Sequence, residues 1–134
     1  MVRIHGHRSA MPKLEDFQLE PVAERGFLQQ ARSLVAQLRL SEEMVDYIVD
    51  LIRATRNHPA LQFGASPRAS NMLATSARSR AVLEGRDFVI PDDVKFVFRP
   101  VLRHRLLVSP GAEVEGRSAE EILDQILEQV PAPR

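Results

Sequence analysis

The segment Gly64–Ser70, with the sequence GASPRAS, opens a long helical segment. Ser66 suits the N-cap position, since its hydroxyl can accept a hydrogen bond from a free N–H group in the first turn. Pro67 then falls at the first helical position, where a missing N–H costs nothing. The sequence therefore predicts a helix from Pro67 to about Glu84, followed by a glycine C-terminal cap.

Arg68 is the unusual residue of this segment. A cation in the first turn lies at the positive end of the helix dipole, which is the less favourable end for it. Free N–H groups, the dipole and a guanidinium together form a place for an anion, with phosphate the first candidate. The alternative is that Arg68 is solvated or pairs with a nearby carboxylate. Local chemistry alone favours the alternative, because most helix N-termini bind nothing.

The composition indicates a single helical domain. A chain of 134 residues buries about two-thirds of its unfolded surface. Its 18 basic and 18 acidic residues balance, so no net charge draws it to nucleic acid or to a membrane. It has no cysteine for a disulfide or a thiolate metal site, and no apolar run of transmembrane length. Since it has no Trp and one Tyr, we expect an aliphatic core and a mostly helical, cytoplasmic domain.

Two helices are predicted before Gly64. The first runs from about Glu24 to Leu38, and the second begins at its cap, Ser41. In both, apolar residues recur at gaps of three and four, which predicts one inward face per helix. The predicted inward residues are Phe27, Leu28, Ala31, Leu34, Val35 and Leu38 in the first helix and Met44, Val45, Ile48, Leu51 and Ile52 in the second.

Two more helices are predicted after Gly85, which gives about five in all. The fourth opens at Pro91, with a bend or break at Pro100. The last begins with the capping box Ser118–Glu121 and ends at Pro131. Residues 106–108 are expected to pair with residues 88–90 as a short two-stranded ribbon, and residues 109–111 to form a turn. Arg78 and Arg80, on the third helix, are expected to be solvated.

Residues 1–20 show no sustained period and are interpreted as a linker or arm, with the domain itself at 21–134. His5 and His7 would share one face of an extended segment, and imidazoles placed in this way can bind a metal. Since no other Cys, Asp or Glu lies beside them at ligand spacing, we expect no metal site here.

The chain lacks the residues of a complete catalytic site. It has no glycine-rich phosphate loop and no nucleophile–base–carboxylate set, so the chain alone is not expected to be an enzyme. Arg99, Arg103, His104 and Arg105 form the densest basic patch. A nucleic-acid site there is the less favoured interpretation, because cations also suit a helix C-terminus and no aromatic residues are interleaved.

Five separated motifs carry a family resemblance. They are YIVDLIRATR at Tyr47–Arg56, GASPRAS at Gly64–Ser70, LEGRDFV at Leu83–Val89, PDDVK at Pro91–Lys95 and VLRHRL at Val101–Leu106. In order and spacing, residues from about 21 to 133 resemble the C-terminal lid domain of MoxR-type AAA+ ATPases. Ile90 departs from the family pattern, which commonly has a Thr cap there, as does Ala23, where Ser or Thr often caps the first helix.

The resemblance implies a small helical bundle that follows a P-loop core and closes over ATP and Mg²⁺ at the seam. By position in its motif, Arg68 resembles the second sensor, which contacts the terminal phosphate, and is the expected catalytic residue. Ser66, Tyr47 and Ile48 are the further candidate cofactor-binding residues. Tyr47 and Ile48 would border the adenine, although core burial also explains both. Because the Walker motifs are absent from this chain, we expect it alone neither to bind nucleotide tightly nor to hydrolyse it.

The resemblance also implies partners. They are the N-terminal AAA+ core of the same protein, neighbouring subunits of a ring and a von Willebrand factor A-type protein, with chaperone-like remodelling as the activity of the whole. The alternative is a free-standing helical module without a nucleotide role, which docks a protein partner through the exposed sides of its second and third helices.

Overall fold

The computed structural model describes Phe17, residues 19–24 and residues 26–133. His5, His7 and most of the expected arm lie outside these residues, so the boundary expected at residue 20 stays a prediction. The described residues form six helices and one antiparallel pair of strands, which confirms the mostly helical fold with a small ribbon. The elements are α1 (Phe27–Gln37), α2 (Glu42–Asn57), β1 (Leu61–Phe63), α3 (Pro67–Leu83), α4 (Pro91–Leu102), β2 (Leu107–Val108), α5 (Pro110–Val114) and α6 (Ala119–Gln129).

The core lies between α2, α3, α4 and α6. Each of these helices turns one apolar stripe inward, as the three- and four-residue spacing predicts. Ser41 caps α2 as expected, since its hydroxyl accepts a hydrogen bond from the Met44 N–H at 3.3 Å. Val45 is an exception in the predicted face of α2, because it is exposed. The largest fully buried apolar side chains are Leu51, Ile52, Leu73, Val94, Phe98, Leu102, Ile122, Leu123 and Ile126.

The inward face predicted for α1 is largely wrong. This helix begins at Phe27, later than Glu24, after Gly26 adopts a positive φ of 101°. None of its residues is buried, and Phe27, Leu28 and Leu34 are 56%, 68% and 60% exposed. The reason is that α1 lies on the outer side of α3 instead of entering the core. Its apolar stripe therefore forms part of the surface of this chain.

The ribbon forms with a different partner from the one expected. β2 pairs antiparallel with β1, so residues 88–90 are not its partner. Phe88 instead forms an isolated parallel bridge with Arg39. The extended segment after α2 turns back beside β2, and the Ser109 N–H donates to the Ala60 carbonyl at 2.9 Å. The three residues of β1 are too few to show a strand period in the sequence.

The second half of the chain follows the predicted helix starts closely. α4 continues through Pro100 to Leu102 as one helix, without a break into two. The expected turn after Val108 is instead the short helix α5, capped by the Ser109 hydroxyl. The capping box of α6 is confirmed, because Ser118 and Glu121 exchange hydrogen bonds of 3.2 and 2.8 Å. Among the described residues, no helix has the length and apolar character needed to cross a membrane.

An ion pair compensates for the missing cap at Ile90. The Asp93 carboxylate accepts a hydrogen bond from the Ile90 N–H at 2.9 Å and two from the Arg86 guanidinium at 2.7 and 2.6 Å. Asp93 is only 3% exposed. Burial alone would raise the pKa of Asp93, but the Arg86 guanidinium and the Ile90 N–H outweigh it and hold the pKa below its ordinary value. The start of α4 is therefore closed by groups of the chain itself.

The expectation that Arg78 and Arg80 are solvated is wrong, since both make specific contacts. The Arg78 Nε donates to the Leu38 carbonyl at 3.1 Å, which ties α3 to the end of α1. Arg80 pairs with Glu84 at 2.6 Å and lies over the ring of Phe96, 4.1 Å from its centroid. These contacts use the long arginine side chains to cover the flanks of α3.

Candidate functional site

The start of α3 is the place where the sequence predicts phosphate contact. Pro67 is the first residue of this helix, as predicted, and Ser66 is its N-cap residue. The role predicted for the Ser66 hydroxyl is wrong, because that hydroxyl makes no capping hydrogen bond. The Ser66 carbonyl accepts one from the Ala69 N–H at 2.9 Å. The Ser66 hydroxyl is therefore not used to cap α3.

Arg68 is exposed at this helix start. Within the part of the chain that the structure describes, no carboxylate lies within ion-pair distance of its guanidinium. The first turn of α3 contains no acidic residue, whereas those of α2, α4 and α6 contain two each. Carboxylate pairing, one of the two alternatives for Arg68, is thus not realised among these residues.

Arg68 lines a shallow, open pocket of about 410 Å³ along the surface of α3. We call it the Arg68 pocket. Its charge suits an anion, because a cation lines it and no acidic residue does. Its lining residues are Arg68, Asn71, Met72, Thr75 and Ser76.

Ala65 is held from behind, on the side of α2. Its N–H donates to the Thr55 hydroxyl at 2.9 Å, and its carbonyl accepts from the Arg56 Nε at 2.7 Å. The Thr55 hydroxyl in turn donates to the Ile52 carbonyl at 2.7 Å. Thr55 is fully buried, so the two hydrogen bonds of its hydroxyl replace bonds to water. The last turn of α2 therefore fixes the peptide that precedes Ser66.

Gly64 allows this close approach. A Cβ atom at this position would lie 2.5 Å from the Thr55 carbonyl oxygen and 2.6 Å from the Arg56 Cα. Both atoms belong to helical backbone, which cannot move aside easily. Sequence reasoning missed this contact, although both partners lie in the quoted motifs at Tyr47–Arg56 and Gly64–Ser70.

The structure separates the other two candidate residues. Tyr47 and Ile48 are 3% and 2% exposed and belong to the core. Ile48 reaches a second pocket, of about 250 Å³, which shares Asn71 with the Arg68 pocket. Tyr47 lines neither of these two pockets, and its buried hydroxyl has no hydrogen-bond partner among the residues that the structure describes. Burial raises the pKa of Tyr47, and the nearby charge of Asp92 acts in the same direction. An adenine contact stays a prediction for both.

The basic patch at the end of α4 is partly engaged within the chain. Arg99 is paired with Asp124, and Arg103 with Glu120 at 3.1 Å. Both acids belong to α6, so these pairs connect the two helices. Acidic partners lower the positive potential that a nucleic-acid site would need.

The second half of the chain matches a known protein family. Residues 53–126 match the AAA lid domain family, which is more than half of the chain. This chain belongs to the AAA lid domain family. The matched segment includes Thr55, Gly64 and Arg68, and runs to Ile126 in the last helix.

Individual relatives extend the match and place this lid domain among MoxR-type proteins. It is 40% identical over 116 residues to the uncharacterized protein YeaC of Bacillus subtilis, covering 86% of this chain and 36% of that protein. It is 36% identical over 126 residues to chaperone MoxR1 of Mycobacterium tuberculosis, covering 87% of this chain and 33% of that protein.

A solved structure supports the same assignment. The crystal structure of a candidate ATPase from Cytophaga hutchinsonii superposes with a TM-score of 0.71 at 33% identity, covering 76% of this chain and 34% of that one. The chain thus spans about a third of the length of the curated relatives it matches. The expected resemblance to a MoxR-type AAA+ lid is confirmed.

Proposed function

We propose that this lid domain closes over ATP bound by a separate AAA+ core, and that Arg68 contacts the terminal phosphate. The observation that carries the proposal is the exposed guanidinium at the start of α3, with no carboxylate near it among the described residues and a pocket beside it. An arginine in this position can donate two hydrogen bonds to phosphate oxygens.

The role of Arg68 is electrostatic. Negative charge is distributed over the equatorial oxygens of the transferred phosphoryl group during hydrolysis, and a cation fixed beside them lowers the barrier. The core would supply the phosphate loop and the Mg²⁺ site, because no such loop occurs in this chain. Ser66 would add a hydroxyl to the same phosphate, and Tyr47 and Ile48 would border the adenine.

The proposal extends to the whole protein. The lid would contact its own core and neighbouring subunits of a ring in the cytoplasm, with a von Willebrand factor A-type protein as a further partner. ATP hydrolysis would then drive chaperone-like remodelling, which the name of the mycobacterial relative supports. No role for nucleic acid or a membrane is proposed.

A second candidate function is a protein-interaction module without a nucleotide role. The observation that favours it is a groove of about 600 Å³, which lies between α1 and α3 and not on the exposed sides of α2 and α3 where it was expected. Leu28, Ala31 and Val35 line one side of this groove, and Thr75 and Ser79 the other. An interaction module would not depend on Arg68 for ATP turnover, so the experiment on Arg68 separates the two functions.

The experiment is Arg68→Ala in the protein that joins this lid to its ATPase core. We expect ATP turnover to fall by about 10²-fold, the usual effect of removing one preorganised donor to a developing negative charge. The circular dichroism spectrum should change little, because Arg68 is exposed. Nucleotide affinity should also change little, because the core supplies the phosphate loop and the Mg²⁺ site. The matched control is Arg53→Ala, an exposed arginine of α2 that pairs with Asp50 at 3.5 Å. Unchanged turnover in Arg68→Ala would contradict the proposal.

A further inference from the structure

We propose that Thr55 is a positioning residue for ATP hydrolysis, which acts through Ala65 to fix the place of Arg68. This inference rests on the role of Arg68 proposed above. Thr55 makes no contribution to the Arg68 pocket itself. Its effect passes through the backbone that joins the end of α2 to the start of α3.

The first element of the argument is the commitment of both polar groups of Ala65. Its N–H is bonded to Thr55 and its carbonyl to Arg56, two consecutive residues of α2. We call these two hydrogen bonds, together with the close approach of Gly64, the Ala65 clamp. Two bonds in opposite directions restrain both the translation and the rotation of the Ala65 residue relative to α2.

The second element is the pattern of burial around Arg68. Ala65 is 1% exposed and Ala69 is fully buried, whereas Ser66, Pro67 and Arg68 between them are exposed. These three exposed residues form a short segment that is held at both ends by a buried alanine. Pro67 removes further freedom, because its ring fixes φ. Arg68 is therefore presented from a rigid base.

The third element is the sensitivity of phosphoryl transfer to position. A catalytic group that is misplaced by about 1 Å can lose much of its effect, even when the change lies far from the chemistry. Weakening the Ala65 clamp would allow residues 66–68 to shift away from α2. The Arg68 backbone would then shift relative to α2, and the guanidinium would move with it while keeping its charge and exposure.

The test uses Thr55→Val, which removes the hydroxyl but keeps the shape, in the protein that joins this lid to its core. We expect kcat to fall about tenfold, with the KM for ATP within about threefold of wild type, because positioning acts mainly in the transition state. Thr55→Ser restores the hydroxyl and should recover most of the loss. Amide hydrogen exchange at Ala65 should be faster in Thr55→Val and near normal in Thr55→Ser.

The double variant Thr55→Val/Arg68→Ala separates positioning from general damage. If Thr55 acts through Arg68, the double variant should turn over ATP no more slowly than Arg68→Ala alone. A further tenfold loss in the double variant would overturn the inference. Normal kcat in a folded Thr55→Val, alongside a slow Arg68→Ala, would also overturn it while leaving the role of Arg68 intact.

Arg56→Met provides a second route if Thr55→Val does not fold. Arg56 is exposed, so its replacement should preserve the fold while it removes the hydrogen bond to the Ala65 carbonyl. We expect kcat to fall about threefold, again with no added loss in the Arg68→Ala background. If Arg56→Met speeds amide hydrogen exchange in the first turn of α3 but leaves kcat at the wild-type value, the inference would be overturned.

Discussion

The helices α3 and α4 start with similar sequence features, but their first turns carry opposite charges. Both helices have proline at the first position, and neither has a side-chain cap. The Ser66 hydroxyl makes no capping hydrogen bond, and Ile90 has no hydroxyl to make one. At α4 the side chain of Asp93 satisfies the Ile90 N–H and pairs with Arg86. At α3 the first turn contains Arg68 and no acid. The positive end of one helix is neutralised internally, and that of the other is made more positive.

The two helix starts differ in whether their charged side chains stabilise the fold. The ion pair at α4 ties the loop after α3 to the start of α4. At the start of α3, the Ala65 clamp lies on the side of α2 and leaves the Arg68 side chain exposed. An arginine at a dipole's positive end costs stability, and such costs are typical of functional positions.

Arg86→Met should produce the largest loss of stability. It leaves the carboxylate of Asp93 buried without its cation, so we expect the free energy of unfolding at neutral pH to fall by about 3 kcal/mol. The measurement is chemical denaturation of wild type and variant under identical conditions. Arg53→Met is the matched control, because the Arg53–Asp50 pair is exposed and its loss should cost no more than about 0.5 kcal/mol.

The same variant has a defined pH dependence. Since the pKa of Asp93 is lowered by folding, its contribution to stability is complete above the ordinary pKa of 3.8 and is lost as pH falls through the folded value. In Arg86→Met the carboxyl can take up a proton more easily. The difference in stability between wild type and variant should therefore shrink as pH is lowered from about 7 to about 3. A difference that stays constant with pH would show that Asp93 is not the group responsible.

Gly64→Ala should cause the next largest loss of stability, at the start of α3. The added Cβ would lie 2.5 Å from the Thr55 carbonyl oxygen, so the loop must move away from α2. We expect a loss of about 2 kcal/mol in the free energy of unfolding, typical of an overfilled contact.

Gly111→Ala is the matched control for Gly64→Ala. Gly111 lies in α5, and a Cβ there would meet no atom within 4 Å. Its replacement should be neutral or stabilise by about 0.5 kcal/mol, because alanine favours the helix. Equal effects of the two alanines would mean that the close approach of Gly64 does not matter for stability.

The comparison also shows how far sequence reasoning reaches. The starts of α2, α3, α4 and α6 depend on residues within a few positions of each other, and all four were predicted correctly. The partner of β2, the exposure of α1 and the Ala65 clamp depend on contacts between distant segments, and these were wrong or missed. Arg68 could be singled out because its oddity is local. Thr55 could not, because its hydroxyl matters only once Ala65, ten residues later, returns to it.

The smallest predicted effect concerns the serine caps. Because the Ser66 hydroxyl makes no capping bond, Ser66→Ala should change the free energy of unfolding by no more than about 0.3 kcal/mol. Ser118→Ala is the matched control, since it removes an observed capping box and should cost about 1 kcal/mol. A loss in Ser66→Ala as large as in Ser118→Ala would show that the hydroxyl caps α3 after all. A small effect leaves the Ser66 hydroxyl beside Arg68 free for a phosphate oxygen, where the same variant can be tested in ATP turnover.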